Sequence, residues 1–184
     1  MSNSDSRQGD AVLVAAARGG DTAAFEQLVR VHAGAVYGHA LRFFGDPQAA
    51  EDVAQEVFIK VYRSLQGFDG TAAFSTWLYR VTRNVCVDML RSGRHRPVPT
   101  DLVDLTLAAP DDTATSAITR AMLESAVRGL TPEDRDAISA VGLFGMSYAE
   151  AGKALGVPEG TVKSRVFRAR RTLATALGRT GGDR

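Results

Sequence analysis

The chain has 184 residues, 45% of them apolar and 23% charged, with a formal net charge of +1. No apolar run approaches the roughly 20 residues that span a bilayer, and the polar N-terminus lacks a basic-then-apolar signal pattern, so a cytoplasmic protein without membrane insertion is expected. A lone cysteine, Cys86, excludes an internal disulfide framework and a cysteine-rich zinc site.

In chain order, residues 1–10 are polar and expected to fray. A short helix over 11–18 ends at Gly19-Gly20. Asp21 reads as the N-cap of a long helix to about Phe44, with Leu28, Val36, Ala40 and Phe44 among its inward residues. Asp46-Pro47 is a cap followed by proline at the first helical position. The helix it starts, 47 to about 66, puts Val53, Val57, Val61 and Leu65 on one stripe. Asp52, Gln55 and Glu56 point away from that stripe. Gly67 to Gly70 interrupts the pattern, and a fourth helix over about 73–92 turns Phe74, Leu78, Val81, Val85 and Met89 inward. Residues 93–112 hold Gly93, Pro97, Pro99 and Pro110 and sustain no period, so they read as a flexible linker.

Helicity resumes near 114, and Thr131-Pro132 starts a further helix with Glu133 and Asp134 in its first turn. Two short helices joined by a tight turn follow. Ser147 lies three residues before Glu150, a capping-box start. Gly156 supplies a turn and Pro158 opens the next helix. There Val162, Val166, Ala169 and Leu173 form an apolar stripe, while Lys163, Arg165, Arg168 and Arg171 lie opposite. Lys163 to Arg171 holds five cations in nine residues and no acid. Ordinary exposed helices mix signs, because opposite charges at four-residue spacing stabilise each other. The layout is that of a helix-turn-helix, whose second helix fits a DNA major groove. Charge follows the same division: residues 120–184 carry 11 basic and 7 acidic groups, against 9 and 10 in residues 1–92. Local charge sets the field at a binding surface.

The expected fold is all-α: two small helical domains joined by a flexible linker, the second containing the helix-turn-helix. The boundaries are an N-terminal extension over 1–20, a helical domain over 21–92, a linker over 93–113, the helix-turn-helix domain over 114–178 and a tail over 179–184. The fourth helix interleaves Phe74, Trp77, Tyr79, Arg80, Arg83 and Asn84. Single-stranded DNA takes that mix: rings for bases, cations for phosphate and an amide for a base edge. Trp77 is equally placed for the core, and Tyr79 for a packed edge. His32, His39 and His95 have no metal spacing, so they read as surface or partly buried side chains. No phosphate-binding loop or catalytic constellation accompanies them, so neither an enzyme nor a cofactor is expected.

Two blocks stand in fixed order: Asp52 to Arg63 with Phe68-Asp69, Phe74 to Asn84 and Asp88 to Arg91, then the helix-turn-helix with Gly160-Thr-Val-Lys-Ser-Arg165. Together they closely resemble the extracytoplasmic-function (ECF) sigma factors of the sigma-70 family. The resemblance implies a promoter-specificity subunit that binds core RNA polymerase through the β′ clamp helices and the β subunit, contacts promoter DNA and helps open it. It implies a polymerase contact at Asp52, Gln55 and Glu56. It assigns the −10 element to Phe68, Asp69, Gly70, Trp77, Arg80, Arg83 and Asn84. It assigns the −35 element to Glu159, Thr161, Lys163, Ser164, Arg165, Arg168 and Arg171. An anti-sigma factor is a further implied partner. A stand-alone helix-turn-helix regulator is the alternative, but it leaves residues 47–92 unexplained. The chain departs from the family at Ala151-Gly152, where relatives usually carry a bulky aliphatic residue and then alanine. A helix-interior glycine costs about 1 kcal/mol relative to alanine and puts the rigidity of that helix in question.

Overall fold

The computed structural model describes residues 3–93 and 129–178, with side chains from 7 to 93 and from 129 to 175. The expected linker beyond Gly93, the helix near 114 and the tail over 179–184 lie outside the described residues. All regular structure among the described residues is helical.

Four helices build the N-terminal half: α1 (Asn3–Arg18), α2 (Thr22–Phe44), α3 (Pro47–Ser64) and α4 (Phe74–Arg91). Their ends follow from local chemistry. The Asp21 carboxylate accepts from the Ala24 amide, capping α2, and Gly45 ends that helix at φ 70°. The Asp46 carboxylate accepts from the Gln48 and Ala49 amides ahead of Pro47. α3 packs chiefly on α2 and α4 and buries Ala49, Ala50, Val53, Val57 and Val61. A 3₁₀ turn, Leu65–Gly67, then leads into the loop before α4.

α1 departs from expectation. Its helix begins at Asn3, not near residue 11, because distant side chains hold the polar segment. The Asp10 carboxylate is 2.9 Å from His32 Nε2 on α2, and Arg7 pairs with Glu150 in the C-terminal half. Val14, one turn on from Asp10, is buried in the core. None of these partners is close in sequence, so local polarity misled.

The C-terminal half comprises α5 (Pro132–Gly142), α6 (Tyr148–Leu155) and α7 (Glu159–Gly178). Thr131 caps α5, and Ser147 with Glu150 forms the full capping box of α6. Gly156 ends α6 at φ 70°. Val162, Val166 and Ala169 seal α7 against α5 and α6. The two halves touch. Phe144, in the α5–α6 turn, packs its ring against Tyr79 of α4 at 5.2 Å and against His39 of α2 at 6.1 Å. Arg135 of α5 donates to the Arg42 carbonyl in the last turn of α2, 3.0 Å away. A cation there satisfies a carbonyl the helix leaves unpaired.

Gly152 has a packing reason. A Cβ at this position would lie 2.8 Å from the Val157 carbonyl oxygen, a backbone atom of the turn itself. The glycine lets the turn close directly onto α6, with the Val157 amide donating to the Gly152 carbonyl at 3.0 Å. The close approach tightens the motif instead of loosening it. Helix propensity alone favours alanine here by about 1 kcal/mol. Overpacking opposes it by roughly 1–3 kcal/mol. We expect Gly152→Ala to lower the urea unfolding midpoint; a raised midpoint would show that propensity decides and that the close approach is unimportant.

Candidate nucleic-acid interface

The loop ahead of α4 is preorganised by its own side chains. Asp69 Oδ1 accepts from the Thr71 amide at 3.0 Å and from the Thr71 hydroxyl at 2.8 Å. These bonds, backbone first, hold the Asp69 carboxyl below its ordinary range. Gly70 takes φ 72°, which a side chain would disfavour. Phe68 sits beneath this rim, 9% exposed, with its ring 5.2 Å from Trp77 and 6.0 Å from Phe74. It therefore supports the loop and offers no open ring to a base. Trp77 is half-buried on the same cluster. Phe74 and Tyr79 are core residues.

Beyond the loop, Trp77, Arg80 and Asn84 recur at spacings of three and four on α4, so they share one face. Arg80 and Asn84 are exposed. Arg83 is exposed too, but its Nε lies 3.6 Å from Asp136 of α5. Burial raises the Asp136 carboxyl, and Arg83 counteracts that rise.

On α7 the cations divide into two groups. Arg168 forms a two-pronged ion pair with Asp134, at 3.2 and 2.7 Å. Asp134 is only 5% exposed, so this guanidinium ties α7 to α5. Lys163 pairs with Glu159 at 2.7 Å and lies 5.8 Å over the Tyr148 ring. Arg171 is exposed, Arg165 half-exposed, and the Ser164 hydroxyl turns back to the Thr161 carbonyl at 2.9 Å. Thr161 lies in the first turn, where helix amides suit a phosphate. Phe167 is 67% exposed beside these residues and was not singled out by sequence. Its signal was a large apolar residue off the Val162–Val166–Ala169 stripe.

α3 carries a third face. Asp52 and Glu56 are half-exposed and Gln55 exposed. Glu56 meets Lys60 at 4.0 Å, and Lys60 also reaches Asp88 of α4 at 3.6 Å. Ile59 and Tyr62 continue the same face at 45% and 60% exposure, and the Tyr62 ring meets Phe25 edge-on. These two apolar residues escaped the sequence reading, which looked there for charge alone. A face of acids, an amide and exposed apolar groups suits a basic helical partner with an apolar seam.

Two further groups differ from expectation or sharpen it. His39 was expected at the surface or partly buried; it is 3% exposed, between the Tyr79 and Phe144 rings. Among the described residues neither ring nitrogen has a hydrogen-bond partner. An unpaired buried N–H costs about 1–3 kcal/mol. Burial first, then Arg42 and Arg83, lowers the imidazole to about 4. Cys86 is wholly buried, and burial, then Asp136, pushes its thiol up to about 12, which leaves it inert. No metal-holding cluster occurs among the described residues.

The geometry defines a class: a helix-turn-helix protein whose N-terminal half presents its own aromatic and cationic helix face. Comparison with known proteins narrows it. The model of sigma-70 region 2 matches residues 28–96, and that of sigma-70 region 4 matches residues 120–173. The ECF RNA polymerase sigma factor SigE of Mycolicibacterium smegmatis is 38% identical over 98% of this chain and 72% of its own length. The RNA polymerase sigma-H factor of Pseudomonas aeruginosa is 37% identical over 91% of this chain and 93% of its own. Among solved structures, CnrH in complex with the cytosolic domain of CnrY aligns with TM-score 0.67 and 28% identity, covering 92% of this chain and 97% of that one. The sigma factor RpoE of Bartonella quintana, in complex with the anti-sigma factor NepR, aligns with TM-score 0.65 and 26% identity over 87% of this chain and 98% of its own. This chain belongs to the ECF sigma factors of the sigma-70 family.

The Arg168–Asp134 tie makes a testable claim. In a double-mutant cycle of Arg168→Ala and Asp134→Ala we expect non-additive losses of stability, the double variant losing less than the sum of the two single ones. Additive single effects would return Arg168 to the set of unengaged cations.

Proposed function

We propose that the protein is a promoter-specificity subunit, acting in the cytoplasm, that directs core RNA polymerase to particular promoters and assists opening. The single observation that carries this is a likeness spanning both halves of the chain, each half offering a partner face of suitable chemistry. A stand-alone regulator would need only the helix-turn-helix. The protein is not a catalyst in its own right; the polymerase performs the chemistry.

In this reading residues 21–92 form one promoter-contacting domain and 114–178 the other. Asp52, Gln55 and Glu56, extended by Ile59 and Tyr62, dock on the β′ clamp helices. Asp69 and Gly70 form the rim of a pocket for an unstacked −10 base, Phe68 and Trp77 support it, Asn84 offers an amide to a base edge and Arg80 and Arg83 take backbone phosphate. The turn and first residues of α7 enter the −35 major groove. Arg165 reads a base edge or backbone, Lys163 and Arg171 take phosphate, and Thr161 adds a contact at the helix start. Arg168 holds the helix in place from behind. An anti-sigma factor that covers these faces is the natural inhibitor; one structural relative, RpoE, is itself held in complex with an anti-sigma factor.

Neither half grips DNA strongly alone, since tethering on the polymerase supplies the effective concentration. Mixed with core polymerase, the pure protein should initiate run-off transcripts from a defined subset of genomic fragments. Failure to bind core would end this reading. Arg165→Ala should cost roughly 1–3 kcal/mol at the −35 element with core affinity unchanged. Equal loss on promoters with altered −35 sequence would assign it to phosphate. Ile59→Asp should do the reverse, weakening core binding at least tenfold while leaving promoter choice intact among the complexes that form.

A further inference from the structure

Three contacts close the N-terminal half against the C-terminal half, each made by a different helix of the first. On α1, Arg7 pairs with Glu150, the capping-box acid of α6. At the end of α2, the Arg42 carbonyl accepts from Arg135. On α4, Arg83 faces Asp136. Between them lies an apolar contact centred on His39, whose ring meets Tyr79 at 5.4 Å and Phe144 at 6.1 Å. The closed arrangement occupies Arg83, one of the residues assigned above to the −10 element. Resting on that assignment, we infer that the contact between the halves is an acid-released latch, shut by the neutral His39 ring and opened when that ring takes up a proton.

The charges around the ring set the direction. Arg42 of α2 itself and Arg83 of α4 act on it directly, both as cations. Tyr79 and Cys86 are the other titratable groups on α4 near this point, and both stay neutral. From α5 come Arg135, which adds positive charge beside Arg42, and Asp136, which Arg83 engages. α6 contributes Glu150, held by Arg7 and Ser147 at the far edge of the contact. On α1, Asp10 is taken by His32, one helical face away. An imidazolium at position 39 would add a buried positive charge within the field of Arg42 and Arg83, with two unpaired N–H groups. Parting the halves exposes the ring to water and removes that penalty.

The sign follows. The closed form binds this proton only near pH 4, whereas the solvated ring binds it near 6.5. The neutral-ring stability of the closed form is complete above 6.5 and is lost as pH falls through 6.5 toward 4. Between pH 7.5 and 5.5 the open-to-closed ratio should rise about tenfold. Asp136 acts in the opposite sense, since burial raises its carboxyl in the closed form and a proton there favours closure; the opening is carried by His39 alone.

The test uses the full chain, free of polymerase and DNA. Spin labels at Glu51→Cys and Lys153→Cys, both exposed positions, report the distance between the halves; buried Cys86 stays in place. Pulsed spin-resonance distances at pH 7.5 and 5.5, with circular dichroism confirming helix content, give the open fraction. A ratio of longer- to shorter-distance populations growing about tenfold on acidification, and flattened by His39→Leu and by His39→Gln, supports the latch. Asp136→Asn, which removes the opposing carboxyl, should leave the His39-dependent response to acid in place. An unchanged distance distribution between the two pH values overturns the inference, as does an undiminished pH response in either His39 variant. Core binding is not read in this experiment, so loss of the latch leaves the sigma-factor reading standing, and failure to bind core leaves the latch measurable.

Discussion

Helices approach closely only where their touching residues are small, and the rest of this chain is arranged around that restriction. α3 gives Ala49, Ala50, Val53, Val57 and Val61 to its contacts, all at most 1% exposed. Each buried valine contributes about 1.5–3 kcal/mol, so the stripe fixes the helix rotation far more firmly than any surface pair. α7 repeats the device with Val162, Val166 and Ala169. What faces solvent on both helices is then what packing did not require. Asp52, Gln55, Lys163 and Arg165 can serve partners because none of them contributes to the core. α4 is different. Leu78, Tyr79, Thr82, Val85 and Cys86 fill its buried sides, leaving the strip through Trp77, Arg80 and Asn84, with Arg83 beside it, for ligand.

That distinction explains what could be read from sequence. Helix ends set by a side chain within three residues were legible: Asp21, Asp46, Thr131 and the Ser147–Glu150 box all cap where expected. Apolar stripes were legible because their period is fixed by helix geometry. The helix-turn-helix and the three faces follow from those two signals together. Features that need a partner far along the chain were not. Arg7 meets Glu150 143 positions away, and Asp10 meets His32 22 away, so the N-terminal helix looked like a polar tail. Arg168 looked like one more cation for the −35 duplex, base or backbone, because Asp134 lies on another helix. Gly152 looked like a defect because its neighbour is a backbone oxygen beyond the turn. His39 carries no sequence mark of burial at all. A histidine at a core position on α2 reads as polar until Tyr79 and Phe144 are folded over it.

The ion pairs bear on selectivity. Lys163, Arg83 and Arg168 each face a carboxylate of this chain, so a phosphate must compete with an internal acid before it gains them. The competition is not equal among the three. Exposed pairs are worth about 0–1 kcal/mol, less than the counterion release that drives phosphate contact. Lys163, exposed with its i−4 acid, therefore yields readily. Arg168 does not, since the carboxylate it would abandon is almost fully buried, and an uncompensated buried acid is far more costly than a surface one. Arg83 falls between, with an acid that burial already disfavours as an anion. Non-specific attraction to phosphate is thus damped at these three cations, and under the −35 assignment proposed above Lys163 is the one a docked promoter would regain at least cost. A net charge of +1 on a DNA-reading protein follows from the same arrangement: acids placed beside the cations hold the protein off bulk nucleic acid until the polymerase brings both halves to the sites where the exchange is favourable.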